Sequence, residues 1–89
     1  MNSLEPVFVQ ARETAGLFRL GRDVEAALAM IELFDPVQSR VDGAGAAIQQ
    51  QWADLLGAML GCQEAQDWLG LADYLEYELL EWLQAIFAG

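Results

Sequence analysis

The 89-residue sequence contains no histidine, no lysine and only one cysteine. Without histidine and lysine, the usual proton shuttle and the amine nucleophile are missing, which argues against a catalytic site. The single cysteine, Cys62, excludes an internal disulfide and fits a reducing compartment. It has no histidine or basic neighbour to lower its pKa, so we predict an inert thiol and no enzymatic activity.

Basic residues are scarce and lie in one part of the chain. The first 40 residues hold four arginines and six acids, whereas residues 41–89 hold eight acids and no base, giving a net charge of −10. Such a surface repels nucleic acid and anionic membranes and attracts basic proteins. We therefore expect a basic protein partner and no direct contact with nucleic acid or membrane. The alternative, that the acids only keep a hydrophobic protein soluble, stays open.

Membrane-spanning, targeting and metal-binding motifs are also missing. No stretch of about 18 apolar residues is present. The N-terminal sequence MNSLEPVFVQARE lacks the basic region and apolar core of a signal peptide, so we predict a cytoplasmic protein. Acid pairs occur at helical spacing without the histidine of di-metal bundles, and VDGAGA (41–46) is too poor in acid for a calcium loop. We expect no metal and no cofactor.

Helical periodicity accounts for nearly the whole chain, and 55% of the residues are hydrophobic, which is enough for a core. Short links between helices make neighbours run in opposite directions. The predicted fold class is all-α, a compact antiparallel bundle of about four helices forming a single domain over residues 1–89. The predicted helices cover residues 4–20, 23–35, 45–61 and 68–87, and the second ends or kinks at Asp35 before Pro36, with a short continuation to Arg40 left open.

The expected helix ends follow from capping residues. Glycine favours the left-handed geometry that terminates a helix, and short polar side chains accept hydrogen bonds from the first turn. We expect caps or ends at Ser3, Gly21, Asp23, Gly61 and Asp67, with links at 41–46 and 62–66. The predicted inner stripes of the first three helices are Leu4, Val7, Phe8, Ala11, Ala15 and Phe18; Val24, Ala27, Leu28, Ile31 and Phe34; and Ile48, Trp52, Leu55, Leu56 and Met59.

The last helix concentrates carboxylates and aromatic rings in the stretch LADYLEYELLEWL (71–83). At about 100° per residue, one side is apolar and forms the predicted packing face: Trp68, Ala72, Leu75, Leu79, Trp82, Leu83 and Ile86. Acids and tyrosines share the opposite side. Exposed phenol rings among carboxylates are typical of an interface for Arg or Lys. The predicted partner-binding residues are Asp67, Asp73, Tyr74, Glu76, Tyr77, Glu78 and Glu81.

Glu76 is the exception, because the wheel places it inside the apolar sector, with Asp73 at the border. A buried carboxylate must be paired or neutralised. Two alternatives remain open: an internal ion pair with one of the four arginines, or a charge kept at the edge of the bundle for a guanidinium group of the partner.

The stretch DWLGLADYLEYELLEWL (67–83), with the size, charge and helix content of the chain, resembles small acidic all-helical immunity proteins of bacterial toxin systems, including contact-dependent growth inhibition. The resemblance implies a cytoplasmic antidote that binds the basic C-terminal toxin domain of a secreted effector, often a nuclease. The alternative is a secretion chaperone or assembly adaptor, which would expose Trp52, Trp68 or Trp82 in an apolar groove. A third hypothesis, a homo-oligomeric scaffold, requires a large apolar patch.

Overall fold

Four consecutive helices joined by three-residue linkers build the fold in the computed structural model, which describes residues 4–87. The Cα radius of gyration, 12.4 Å, is close to the roughly 12 Å expected of a compact domain this long. The prediction of an all-α bundle of about four helices is confirmed, and residues 4–87 contain no strand. The elements are α1 (Glu5–Arg19), α2 (Asp23–Asp42), α3 (Ala46–Glu64), α4 (Trp68–Asp73), a π-helical segment (Tyr74–Glu78) and α5 (Leu79–Phe87).

Helix α1 is the centre of the bundle, because it packs against α2 on one side and against α4 and the π segment on another. Its buried face follows the predicted stripe, with Val7, Ala11, Ala15 and Phe18 all inaccessible to solvent or nearly so, while Phe8 is half-buried. The fully buried alanines let neighbouring backbones approach closely. The predicted cap Ser3 lies outside the described residues.

The turn after α1 is closed as the sequence predicts. Gly21 adopts a φ of +76°, which a residue with a side chain rarely tolerates. The backbone N–H of Arg22 donates to the Leu17 carbonyl at 3.0 Å, and that of Gly21 donates to the Phe18 carbonyl at 3.1 Å. These two bonds form a Schellman motif, which satisfies the last carbonyls of α1 and lets α2 begin at once.

Helix α2 differs from the prediction in both its end and its buried face. It passes through Pro36 and ends at Asp42, so the helix does not end at Asp35, and the continuation that the sequence left open is observed and runs two residues beyond Arg40. Pro36 is exposed, so the carbonyl that it leaves without an N–H partner is open to water. The predicted inner residues Val24, Leu28 and Ile31 are exposed, and Ala27 and Phe34 are half-buried. The core residues are Ala26, Met30, Leu33, Val37 and Val41.

The buried face of α2 differs from the predicted one because the helix continues beyond Asp35. A helix stopping at Asp35 would have only three residues on the Ala26 side, so the opposite apolar stripe looked longer. Once the helix continues through Pro36, Val37 and Val41 extend the Ala26 side to five buried residues over about four turns. The stripe that was predicted to be buried therefore lies on the surface. Asp23 is the first helical residue and makes no side-chain cap.

Helix α3 runs past its predicted end at Gly61 to Glu64, and the link to α4 is correspondingly shorter. Of its predicted stripe, Trp52 and Met59 are buried, and the other members are half-buried. Among the described residues, none of the helices combines the length and apolar character needed to cross a lipid bilayer.

The residues 68–87, here called the C-terminal helix, follow one another in helical geometry through α4, the π segment and α5. The predicted residues Ala72, Leu75, Leu79 and Leu83 are buried, and Trp68, Trp82 and Ile86 are half-buried. Leu71 and Leu80 are also buried, which the regular 100° wheel did not predict. The wider turn of the π segment changes the phase of the helix, so that Leu75 and Leu80, five residues apart, both reach the core.

Candidate protein-binding site

The C-terminal helix is fixed at its start by the capping side chain of Asp67. The Asp67 Oδ1 atom accepts a hydrogen bond from the Gly70 backbone N–H at 3.0 Å, as predicted for a helix cap. A Cβ atom at Gly70 would collide with the Asp67 carboxylate, so glycine leaves room for the cap. The Asp67 side chain is exposed, but its carboxylate already accepts the capping hydrogen bond of the C-terminal helix.

Two of the predicted site residues, Asp73 and Glu76, bind an arginine of the chain itself. Arg19, the last residue of α1, donates from Nη1 to Glu76 Oε1 at 2.6 Å and from Nη2 to Asp73 Oδ1 at 2.9 Å. The guanidinium group thus bridges two acids one turn apart and ties α1 to the C-terminal helix. Of the two alternatives for Glu76, the internal ion pair is the one observed.

The Arg19 bridge shifts the pKa of Arg19 and the pKa of Glu76 in opposite directions. The hydrogen bond from Arg19 lowers the pKa of Glu76 below its ordinary value, and the bonds to Glu76 and then Asp73 raise the pKa of Arg19. The Glu76 side chain is 26% exposed, so the bridge lies at the edge of the bundle and water partly screens it.

Three of the remaining predicted site residues on this helix are exposed. Tyr77 is 56% exposed and Glu78 and Glu81 are also exposed, whereas Tyr74 is half-buried and packs against the core. Among residues 4–87, neither Glu78 nor Glu81 has an ion-pair partner, in contrast to Asp73 and Glu76. We call Tyr74, Tyr77, Glu78 and Glu81 the acidic phenol face.

An open cavity of about 400 Å³ lies beside the acidic phenol face. Two phenol rings and two carboxylates contribute to its wall, and the glycine leaves space between them. Glu81 lies on the same helix but outside the cavity. The lining residues are Gly70, Asp73, Tyr74, Tyr77 and Glu78.

The π segment provides three of the five lining residues. Such segments commonly occur at functional sites, because the extra residue redirects neighbouring side chains. Within it, the Glu76 carboxylate interacts with the hydroxyl group of Tyr77 and raises the pKa of that tyrosine. The cavity therefore presents phenol groups beside carboxylates. This combination is suited to a cationic group, which favours both carboxylates and the faces of aromatic rings.

The three tryptophans pack inside the bundle. Trp52 and Trp82 stack at 5.9 Å between ring centroids, and Trp68 stacks on Phe18 at 5.6 Å. The indole N–H of Trp52 donates to Gln38 at 2.8 Å and that of Trp82 donates to Gln51 at 2.9 Å. Trp52 is buried and the other two are half-buried, so among residues 68–87 the exposed aromatic ring is that of Tyr77.

Cys62 and the acidic residues raise the question of two further kinds of site, a reactive thiol and a metal site. Burial, with a contribution from Asp67, raises the pKa of the half-buried Cys62 thiol, which disfavours the reactive thiolate. Within residues 4–87, no group of three or more Cys, Asp and Glu side chains is arranged to hold a metal ion.

Sequence reasoning missed two features of the surface. One is the identity of the arginine that pairs with Glu76. The sequence did not single out Arg19, and it did not predict that the same guanidinium group also binds Asp73. The other is the exposure of the apolar stripe on α2, because Val24, Leu28 and Ile31, which we predicted to be buried, are 72%, 61% and 66% exposed. The signal was a second set of apolar residues at helical spacing on α2, and that second set is the buried one.

Comparison of the chain with protein-family models, curated protein sequences and solved structures finds no match to any of them. Its function is therefore inferred from the charges and the geometry of the chain itself.

Proposed function

We propose that this protein is a non-catalytic binding module that holds a basic protein partner against the acidic phenol face. The observation that carries the proposal is the exposure of Tyr77 beside two carboxylates, Glu78 and Glu81, that have no ion-pair partner among the described residues. A ring with only two side-chain torsions gives contact area at low entropic cost, and the carboxylates receive Arg or Lys. The cavity beside them gives a cationic side chain a place to enter.

The Arg19 bridge refines the predicted set of binding residues. Asp73 and Glu76 belong to an internal ion pair, so in this proposal they position the face and a partner contacts mainly Tyr74, Tyr77, Glu78 and Glu81. Asp67 supports the start of the helix. Asp73 still lines the cavity with its carboxylate, which is shared with Arg19.

The specific form of the proposal is a cytoplasmic antidote to a basic toxin domain, of the immunity type that the sequence resembles. A nuclease cleft built for phosphate groups also attracts carboxylates, so an acidic face can occupy it by imitating the charge of the substrate. Binding beside the cleft would instead exclude the large substrate sterically. Both modes place the acidic phenol face against a basic surface.

The alternative function, a secretion chaperone or assembly adaptor, is favoured by a different observation. Its predicted sign was a tryptophan exposed in an apolar groove, and the tryptophans instead pack against other rings. The exposed stripe of Val24, Leu28 and Ile31 does, however, offer an apolar surface to a client segment.

Charge reversal tests the proposed function. The partner is first captured from a lysate of the source cells and identified, and its affinity is then measured by calorimetry. Glu78→Lys/Glu81→Lys should weaken binding at least about tenfold, because two attractive carboxylates become repulsive. Association of the wild type should also slow as ionic strength rises.

The matched control is Asp42→Lys/Asp54→Lys, which changes the net charge equally on α2 and α3. It should change affinity much less than the reversal on the C-terminal helix. Equal losses in both variants would show that only the total charge matters. Unchanged affinity in Glu78→Lys/Glu81→Lys would contradict the proposed function.

A further inference from the structure

The exposed stripe on α2 is a second surface that the proposed function does not use. Val24, Leu28 and Ile31 stand at i, i+4 and i+7, so they form one continuous line along about 10 Å of helix. Each is more than half exposed, and Leu20, in the turn before α2, is 75% exposed. Single exposed apolar residues are ordinary, but three along one line of a helix form a patch that needs a reason.

Acids border this stripe on one side. On the α2 wheel, Glu25 and Glu32 follow the stripe along the same flank, and Asp35 lies at its C-terminal end. All three are exposed, and Arg22, at the start of the helix, forms an exposed ion pair with Glu25 at 3.9 Å. The surface therefore combines an apolar line with a negative edge.

We propose that this surface binds a basic amphipathic α-helix of a partner protein. The apolar line matches the stripe of such a helix, and Lys or Arg along one flank of the helix would pair with Glu25, Glu32 and Asp35. The proposal does not depend on the acidic phenol face, because α2 and the C-terminal helix carry separate sets of residues.

A second copy of the chain fits the stripe less well. Two α2 helices that packed antiparallel about a two-fold axis would carry their identical flanks on the same side. That arrangement brings Glu25 of one copy near Glu32 of the other, and each copy already carries a net charge of −10. Anionic lipid is disfavoured for the same reason, since its headgroups would meet the acidic edge.

Designed peptides provide the probe for this surface. One peptide of about 18 residues, long enough for a helix, carries leucines on one face and lysines on the flank, and a second has glutamate in place of each lysine. Binding of the labelled peptides is measured by fluorescence anisotropy. The basic peptide should bind at least about tenfold more tightly than the acidic one, and Leu28→Ser should weaken its binding by at least about tenfold.

Two control variants locate the peptide. Leu69→Ser changes a leucine that is 65% exposed on α4, close to the exposure of Leu28, and should leave binding unchanged. Glu78→Lys/Glu81→Lys, which reverses charges on the C-terminal helix and not on α2, should weaken peptide binding much less than Leu28→Ser does. Since all these residues are exposed, circular dichroism should report the same helical content in every variant.

Several outcomes would overturn the proposal. Equal binding of both peptides, or equal loss in Leu28→Ser and Leu69→Ser, would mean that the stripe selects no basic helix. A concentration-dependent dimer in sedimentation, or binding to phosphatidylglycerol vesicles, that Leu28→Ser abolishes would assign the stripe to a second copy or to lipid. Loss of peptide binding only in Glu78→Lys/Glu81→Lys would assign the peptide to the acidic phenol face.

Discussion

At the scale of single residues, Arg19 decides which acids of the C-terminal helix remain available. Its two bonds, to Glu76 and Asp73, occupy the carboxylates nearest α1 and leave Glu78 and Glu81 facing solvent. Arg19 also ends α1, where a positive charge is favoured by the helix dipole. The Arg19 side chain therefore joins α1 to the C-terminal helix. On the outward face of that helix, Glu78 and Glu81 remain without an ion pair among the described residues.

The Arg19 bridge makes stability depend on pH. Because the pKa of Glu76 is lowered on folding, its contribution is present above the ordinary glutamate pKa of 4.5 and is lost as the pH falls through the lowered value. Glu76→Gln should reduce the free energy of unfolding by about 0.5–1 kcal/mol at pH 7. The difference from wild type should shrink at pH 3, measured by urea denaturation.

The control for this experiment is Glu78→Gln, which changes an exposed acid with no ion pair among the described residues. It should alter stability little at either pH. A Glu76→Gln effect that is equally large at pH 3 and pH 7 would show that the loss arises from packing instead of from the ion pair.

How far the site could be predicted is clear from Glu76 and Tyr77. The wheel placed Glu76 among apolar residues, and the requirement that a buried carboxylate be paired made an internal arginine one of two expected partners. It could not say which arginine, because that depends on where α1 ends against the C-terminal helix. The outward position of Tyr77 followed from periodicity alone, whereas the cavity depends on the π segment, for which the sequence offered no signal.

At the scale of elements, Asp67 should matter for the stability of the C-terminal helix. Asp67→Ala removes the acceptor for the Gly70 N–H and should cost about 1 kcal/mol in urea denaturation. Gly70→Ala should also destabilise, although alanine favours helix, since its Cβ would displace the capping carboxylate. Glu64→Ala, at the end of α3, is the control. A neutral Asp67→Ala together with a stabilising Gly70→Ala would contradict this role.

Helix α2 shows where sequence periodicity fails. It has two apolar faces, and the position of its end decides which one is longer. Proline usually marks a boundary, but an exposed Pro36 costs one hydrogen bond that water can replace, while burial of Val37 and Val41 favours continuation. The choice between the faces therefore depends on tertiary packing against α1, which local pattern does not contain.

At the scale of the whole molecule, two surfaces with different chemistry stand on a small acidic bundle. The acidic phenol face combines rings and unpaired carboxylates on the C-terminal helix, and the α2 stripe combines an apolar line with an acidic edge. The stacked tryptophans and the buried face of α1 support the helices that carry both surfaces. Both surfaces favour positive charge, and the absence of any base after Arg40 adds to this at the acidic phenol face.

Site-specific cross-linking tests the central claim most directly, namely that the acidic phenol face contacts the partner. Tyr77 is replaced by the photoreactive p-benzoylphenylalanine, and Leu60, which is 43% exposed on α3, receives the same residue as a control. After irradiation of the complex with the captured partner, the account predicts a covalent product from position 77 and little from position 60. A product from position 60 with none from position 77 would place the partner elsewhere and contradict the account.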